Sequence, residues 1–355
     1  MTGYSALERV LHRLAFKTYA AQIPLADIED RIYSKRLVSL KIDRPVFITA
    51  LPRAGTTLLL ECCASLKGFA SHSYRDMPFV LIPCLWDRFS APFRRSGISR
   101  ERAHGDGMQI NFDSPEALEE VIWSVFWRRH YLTDRIVPWQ DEYNSEFEEF
   151  FRNHMRKIIF LRRGKGTLMA RYLSKNNLNI ARISILHRLF PDSVIIVPFR
   201  QPLQHAASLL KQHNNFLRIH EDDPFASEYM RAIGHYDFGE NLRPIDFAGW
   251  FDKRESRSPC SLGFWLEYWV ASYKHLLTEP SGFFHFLNYD KFCDNPRLGL
   301  QTLADMIDSG DPDSLLARAE GIRRMKSHEV DVAALPAHII READRIYGRL
   351  REMTG

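Results

Sequence analysis

A six-residue turn between two apolar runs is the segment of this sequence best suited to bind an anion. The turn consists of Pro52, Arg53, Ala54, Gly55, Thr56 and Thr57. The preceding run "VFIT" predicts a buried strand, and the following run "LLLECC" predicts a helix. A strand–turn–helix junction directs several backbone N–H groups at one point, where phosphate or sulfate binds. Arg53 adds a forked donor, and the threonines add hydroxyls. The ordinary alternative is a junction capped by threonine.

The turn differs from the loop that binds Mg-triphosphates. That loop reads G-x-x-x-x-G-K-[ST], whereas position 50 is Ala and no Lys stands between Gly55 and Thr56. A second segment, "RRGKGTLMARYL" (162–173), imitates the end of the motif, but position 159 is Ile where the first glycine belongs. We interpret it as a basic turn. No spacing of Cys, His or acidic residues indicates a metal site, so we expect none.

A second anion site is predicted within "SVIIVPFRQPLQHAASLL". Arg200 follows an apolar strand at its carboxyl end, where α/β sheets place ligands. Ser208 lies eight residues further on, about two helical turns, so both side chains can face one crevice. Taken singly, they also suit a helix-capping arginine and a solvent-facing serine. Two such sites in one chain favour a ligand with two phosphate-like groups.

Together, these segments resemble the sulfotransferases that use 3'-phosphoadenosine 5'-phosphosulfate (PAPS). In that family a loop of the type P-[RK]-S-G-T-T cradles the 5'-phosphosulfate, and R-x-P-x(5)-S holds the 3'-phosphate. The resemblance spans roughly residues 44–308 and includes "FLNYDKFCDNP", with Asp290 where the family usually has Glu. Ala54 also departs from the usual Ser, which removes one hydroxyl. The resemblance implies that residues 52–57, Arg200 and Ser208 bind PAPS without a metal, with PAP as product. Tyr289 is either a contact of the cofactor pocket or a core residue.

Sulfuryl transfer needs an in-line acceptor, a base for its proton and cations on the leaving phosphate. The resemblance assigns the cationic role to Arg53. It also places an acidic or histidine base after the first helix, where Asp76 is the first candidate and His72 the second. The apolar neighbours in "RDMPF" favour a raised pKa for Asp76, whereas a salt bridge to Arg75 or a loop cap is the alternative. Lys175 lies where several carbohydrate sulfotransferases carry a lysine that contacts the sulfate.

The predicted function is therefore sulfuryl transfer from PAPS to a hydroxyl or amine acceptor. A carbohydrate or glycoconjugate acceptor, or another small molecule, follows from the breadth of the family. Two alternatives stay open: a non-catalytic protein that binds adenosine bisphosphate or another nucleotide, and a P-loop-type kinase. The first predicts binding without turnover. The second should need a P-loop lysine and an acidic Mg²⁺ ligand.

The elements that position these residues alternate between strands and helices. Apolar runs predict strands at 45–49, 157–161, 193–199 and 283–289. Helical patterns occur at 56–66, 115–130, 175–190, 202–215, 261–278, 296–308 and 338–352. This alternation predicts an α/β fold with a central, mostly parallel sheet flanked by helices. The resemblance implies the sulfotransferase version of the P-loop NTPase-like fold. Two irregular segments, 91–110 and 214–252, are candidates for lids or acceptor-site walls.

We expect one sulfotransferase-like domain over 1–355. It comprises an N-terminal helical arm (1–40), an α/β core (41–310) and a C-terminal helical segment (311–355). Leu7, Val10, Leu11 and Leu14 share one stripe of the arm, which suits packing on the core, with attachment to a membrane surface as the alternative.

The composition bounds the class of protein. Among 355 residues, 45% are hydrophobic, which excludes a disordered chain. The net charge of +4 disfavours a general nucleic-acid partner but allows local basic pockets. Five cysteines without a C-x-x-C pair read as reduced thiols. With no signal-peptide pattern and no long apolar run, we expect a cytoplasmic protein without a transmembrane segment. The oligomeric state is not predicted.

Overall fold

The core of the protein is a parallel sheet of five strands. In this computed structural model, the described residues are 6–91, 100–101, 109–110, 114–163, 170–323, 325–333 and 335–354. The strands are β1 (Val46–Ile48), β2 (Phe69–Ala70), β3 (Arg100–Glu101), β4 (Gln109–Ile110), β5 (Arg171–Lys175), β6 (Val194–Phe199) and β7 (His285–Asn288). The central sheet has the order β2-β5-β1-β6-β7 with every pairing parallel, and β3 and β4 form a separate antiparallel pair.

Helices cover both faces of this sheet. They are α1 (Ala6–Lys17), α2 (Tyr19–Leu37), α3 (Thr56–Ala64), α4 (Pro83–Ser90), α5 (Glu120–Phe126), α6 (Ser145–Arg162), α7 (Ile183–Leu189), α8 (Pro202–Asp222), α9 (Pro224–Ala232), α10 (Trp250–Lys253), α11 (Leu262–Leu276), α12 (Tyr289–Asp294), α13 (Pro296–Met306), α14 (Pro312–Leu316) and α15 (Ala337–Glu352). The predicted α/β fold with a parallel sheet flanked by helices is confirmed.

The strands are buried because alternate side chains enter two different cores. Val46 and Ile48 of β1 pack with α3, α12 and α13 on one face, whereas Phe47 packs with the larger cluster on the other. All three side chains are fully buried. A strand covered on both faces reads as a continuous apolar run, which is why "VFI" and "VIIVPF" were recognisable.

The predicted strand at 157–161 is wrong, because this segment is the last part of α6. A short apolar run reads equally as a buried strand or as the buried side of a helix. Here Asn144 caps the helix by accepting a hydrogen bond from the Phe147 N–H group. Lys157 is buried in an ion pair with Glu29 of α2, so the helix turns this charge toward the N-terminal arm.

The strand that pairs with β1 on this side is β5. It lies in a polar segment that was expected to precede a helix. Asn177–Ala181 then forms a 3-10 turn before the short helix α7, so the helix predicted at 175–190 is also interrupted. The segment 214–252 is less irregular than expected, because α8 continues to Asp222 and α9 follows it. Most of the other irregular segment, 91–110, lies outside the described residues, as do residues 164–169 of the basic turn.

The N-terminal helices lie against the α/β core. Arg9 of α1 pairs with Asp223 at the start of α9, with Nη1 and Oδ1 3.2 Å apart. The Tyr19 hydroxyl donates to the Ala232 carbonyl at 3.2 Å. Among the described residues, no helix is both long and apolar enough to cross a membrane.

Candidate active site

The predicted anion-binding turn connects the carboxyl end of β1 to the N-terminus of α3. The backbone turns through two left-handed residues, Arg53 at φ +69° and Gly55 at φ +94°. At position 55 a side chain is also sterically excluded, because a Cβ atom would lie 2.1 Å from Cε2 of Tyr289. Both the left-handed backbone and the close approach of Tyr289 therefore require glycine at position 55. Gly55 is also the N-cap residue of α3, so the first N–H groups of this helix have no acceptors within the helix.

Two buried side chains of the neighbouring unit in the sheet, β6 followed by α8, form hydrogen bonds to the backbone of this turn. Arg200, 1% exposed at the end of β6, donates from Nη1 to the Arg53 carbonyl at 2.9 Å. His205 on α8 donates from Nε2 to the Pro52 carbonyl at 2.8 Å. Burial, together with the charge of Arg200, lowers the pKa of His205 to about 3, so this ring is neutral. Sequence reasoning missed His205, since no motif marks it apart from its position after Arg200.

The two predicted anion sites meet at this point. Arg53 Nε donates to the Ser208 hydroxyl at 3.4 Å, which joins the turn to α8. Asp290 accepts from the Gln201 N–H group at 2.7 Å and lies 3.6 Å from Arg200 Nε. The aspartate in place of the family's glutamate thus orders the start of α8. Burial lowers the pKa of Arg200, although Asp290 opposes that shift.

An open cleft of about 230 Å³ lies in front of the turn. Of the residues predicted to bind the donor or act in catalysis, its walls include Pro52, Arg53, Gly55, Thr56, Thr57, Lys175 and Tyr289. Ala54, Arg200 and Ser208 lie behind this surface and are buried. Parallel pairing places Lys175 opposite Ile48, so the ends of β1 and β5 bring it beside the turn.

A hydrogen-bonded relay runs from the turn to the opposite wall of the cleft. Thr56 Oγ1 donates to Asn177 Oδ1 at 3.3 Å, and Asn177 Nδ2 donates to Asp237 Oδ2 at 2.9 Å. The same carboxylate oxygen lies 3.7 Å from Nε2 of His235. Burial lowers the pKa of His235, although the Asp237 carboxylate opposes this shift. His235 is therefore a neutral imidazole with a carboxylate partner, which is the arrangement that a proton acceptor needs.

Buried carboxylates fix the segment after β5. Glu120 accepts from Asn176 Nδ2 at 2.7 Å and pairs with Arg182, whose guanidinium lies 3.9 Å from the centre of the Trp123 ring. Glu119 accepts from Asn179 Nδ2 at 3.0 Å. Sequence reasoning missed this network. The available signal was a pair of glutamates immediately before the apolar run "VIW", where a buried charge must find a partner.

The two candidate bases, Asp76 and His72, lie away from the cleft surface. Both are 2% exposed, and Asp76 pairs with Arg162 while accepting from the Ser73 N–H group at 3.0 Å. His72 Nδ1 lies 3.1 Å from Asp76 Oδ2, and its Nε2 lies 3.1 Å from that of His154. Burial alone would raise the pKa of Asp76, but Arg162 and His72 hold it well below its usual range. The expected upward shift is wrong, because the carboxylate has ionic partners and not an apolar wall.

The comparisons with known proteins bear on the same region. A family model described as "Sulfotransferase family" matches residues 45–237, which is more than half of the chain. The chain belongs to the sulfotransferase family. The matched segment contains the turn, Lys175, Arg200, Ser208 and the relay to Asp237. Among the described residues, no group of three or more His, Cys, Asp or Glu side chains is placed to hold a metal ion.

Solved sulfotransferases are also similar to this chain. Sulfotransferase STF1 from Mycobacterium tuberculosis H37Rv has 12% identity and a TM-score of 0.48, covering 91% of this chain and 81% of its own. STF9 from Mycobacterium avium has 14% identity and a TM-score of 0.48, covering 92% and 80%. The sulfotransferase domain of the Synechococcus PCC 7002 olefin synthase has 14% identity and a TM-score of 0.37, covering 87% and 96%. No curated protein sequence matches this chain.

Proposed function

We propose that this sulfotransferase moves a sulfuryl group from PAPS to a hydroxyl or amine acceptor. The observation that carries the proposal is that Arg53 and a helix N-terminus line one end of the cleft, with a buried arginine and a buried serine directly behind them. Arg53 contacts Ser208, and Arg200 contacts the Arg53 backbone, so the two predicted anion sites are adjacent. A donor with phosphate groups at both its 5' and 3' positions matches such a pair.

In this proposal the 5'-phosphosulfate lies on the N–H groups of Gly55, Thr56 and Thr57. The 3'-phosphate lies toward Arg200 and Ser208. Tyr289, whose ring packs against Gly55 at the cleft wall, borders the cofactor pocket. In this proposal Arg200 has two roles: it orders the turn through the Arg53 carbonyl, and from behind the cleft surface its positive charge attracts the 3'-phosphate.

During transfer, the bond between sulfur and the bridging oxygen of the donor breaks, and its electron pair stays on the 5'-phosphate of PAP. A new bond forms between sulfur and the acceptor oxygen or nitrogen. Arg53 and Lys175 stabilise the negative charge on the transferring group and on the leaving oxygen. The acceptor's proton goes to His235, and Asp237 stabilises the imidazolium that results. This assignment replaces Asp76 as the base.

The proposed acceptor is rich in hydroxyl groups, such as a carbohydrate. A second recess shares Pro115 with the cleft as a lining residue. Its polar lining includes Ser65, Ser71, Ser73, Ser114, Arg162 and Arg318. Serine hydroxyls and guanidinium groups provide the donors and acceptors with which a sugar is recognised.

The second candidate function is nucleotide binding without turnover, which rests on the anion sites alone. A kinase is disfavoured because Gly55 is followed by Thr56 and not by a lysine. Titration calorimetry with PAP, 5'-AMP and Mg-ATP separates these functions. We expect clear preference for PAP, followed by turnover of labelled PAPS in an acceptor screen. Preference for Mg-ATP, or no binding of any nucleotide, would contradict the proposal. Binding of PAP without turnover would support the non-catalytic alternative.

The role of Arg200 has its own test. Arg200→Ala should weaken PAP binding by about ten- to two-hundredfold, the cost of a charged hydrogen bond of roughly 1.5–3 kcal/mol. Affinity for 5'-AMP, which lacks the 3'-phosphate, should fall much less. An equal loss for both ligands would restrict Arg200 to ordering the turn. Arg218→Ala, at an exposed arginine of the same helix α8, is the matched control.

A further inference from the structure

Helices α1 and α2 carry a stripe of apolar side chains that points away from the protein. We define the outer stripe as Leu7, Val10, Leu14, Ala21, Leu25, Ile28 and Ile32. Its six large members are between 42% and 79% exposed. Within each helix, spacings of three and four residues place them on one face, and only Thr18 separates the two helices. Contiguous exposed apolar surface of this kind marks an interaction site.

The opposite face of the same helices is anchored to the protein. His12 and Ala15 of α1 are buried, and Gln22 and Ala26 of α2 are buried behind them. Glu29 of α2 is also buried, in its ion pair with Lys157. The inner face therefore accounts for the folding of the arm onto the core. The outer stripe forms the exposed side of the arm and is available to a partner.

A border of basic residues follows one edge of the outer stripe. Arg13, Lys17, Arg31 and Lys35 each stand three residues after a stripe member, namely Val10, Leu14, Ile28 and Ile32. All four are exposed. Arg13 pairs with Glu228, whereas the other three form no ion pair within the part of the chain that the structure describes. We call these four residues the basic border.

We propose that α1 and α2 bind the surface of an anionic phospholipid bilayer. An amphipathic helix with apolar residues on one face and Lys or Arg beside them lies in the plane of the interface. The outer stripe enters the boundary between headgroups and acyl chains, and the basic border contacts the anionic headgroups. Each cation near such a surface adds to binding, and the attraction is screened by salt.

The basic border favours a bilayer over a second copy of this chain. Two copies related by a two-fold axis, with their stripes packed antiparallel, would bring the same border of each helix together. Lys17, Arg31 and Lys35 would then face cations of the other copy, and like charges in an interface are unfavourable. Anionic headgroups complement the same residues.

Vesicle co-sedimentation tests this proposal with the full chain. We expect binding to phosphatidylcholine vesicles that contain phosphatidylglycerol, weaker binding without phosphatidylglycerol, and loss of binding at high salt. The double substitution Leu14→Glu and Ile28→Glu should lower the partition coefficient by at least about tenfold, and so should Lys17→Glu with Lys35→Glu. Leu298→Glu on α13 and Lys67→Glu are matched controls, because both residues are exposed outside the arm. Neither control should change binding.

All substituted side chains are exposed, so we expect every variant to fold. Melting curves followed by circular dichroism check this expectation. If the wild-type protein does not co-sediment with vesicles that contain phosphatidylglycerol, the proposal is wrong. Stripe variants that bind as well as the wild type would also overturn it. A dimer in analytical ultracentrifugation that dissociates when Leu14 and Ile28 are replaced would assign the stripe to a second copy instead. These outcomes do not depend on whether PAPS is the donor.

Discussion

At the scale of single residues, the transfer reaction has to remove one proton from the acceptor. Four acidic or imidazole groups line the cleft near the turn: Glu116, Glu120, His235 and Asp237, and Glu120 is already paired with Arg182. Of these, the relay from Thr56 through Asn177 reaches Asp237, which faces His235. The phosphate-binding turn and the proposed base are thus ordered by the same hydrogen bonds. A displacement of the turn would move both.

We expect His235→Gln to lower kcat by about 10²- to 10⁴-fold, the usual contribution of general base catalysis. The affinity for PAP should change little, because the ring does not contact the anion sites in this assignment. Burial lowers the pKa of His235 below the ordinary 6.5, so wild-type kcat/KM should fall only at pH values below 6.5. Steady-state kinetics across pH checks both expectations. Glu116→Gln is the control at the same cleft, and a larger loss there would move the base to Glu116.

Asp76→Asn separates the base role from a structural one. Its carboxylate pairs with Arg162 and is buried, so the substitution leaves a charged group without its counterion. We expect the free energy of unfolding to fall by about 3–5 kcal/mol, as for other broken buried pairs. Urea denaturation measures this loss, and kcat of the folded fraction should stay near that of the wild type. A stable variant with lost turnover would restore Asp76 as the base.

At the scale of elements, the close contact between the turn and α12 decides whether the donor site forms. Gly55→Ala would place a Cβ atom 2.1 Å from Cε2 of the Tyr289 ring and force a left-handed backbone on alanine. We expect lower stability and loss of PAP binding, measured by thermal melting and calorimetry. Gly68→Ala is the matched control, because nothing lies within 4 Å of a Cβ atom at that position. Retained PAP binding in Gly55→Ala would mean that Tyr289 can move away from the turn.

The same scale shows what the sequence could and could not predict. The elements around the turn were predictable, because β1 and β6 are apolar on both faces and each is followed by a distinctive turn. Strand β5 was not, since "RYLSK" has charged ends, and its pairing with β1 and β2 is a long-range property. The strand predicted at "KIIFL" lies in helix α6, because an apolar run that packs on two sides is compatible with either element. His235 and Asp237 carry no motif, and only the fold brings them to the cleft.

At the scale of the whole molecule, several buried histidines make stability depend on pH. Burial lowers the pKa of His205 to about 3 and that of His213 to about 4, and the pKa of His154 is also well below its ordinary value. In the unfolded chain these rings titrate near 6.5. The unfolded state therefore binds more protons than the folded state between pH 6.5 and pH 4. Stability is fully present above that window and falls as the pH decreases through it.

Each such histidine should reduce the free energy of unfolding by about 1.4 kcal/mol per pH unit below 6.5. Urea denaturation at pH 7, 6 and 5 measures this slope. His205→Gln tests one contribution, because glutamine keeps an N–H donor for the Pro52 carbonyl but cannot be protonated. For this variant, the free energy of unfolding should change less steeply with pH, by the amount that corresponds to about one proton fewer taken up on unfolding. An unchanged slope would mean that His205 titrates alike in both states, and the ring beside Arg200 would then become charged below pH 6.5.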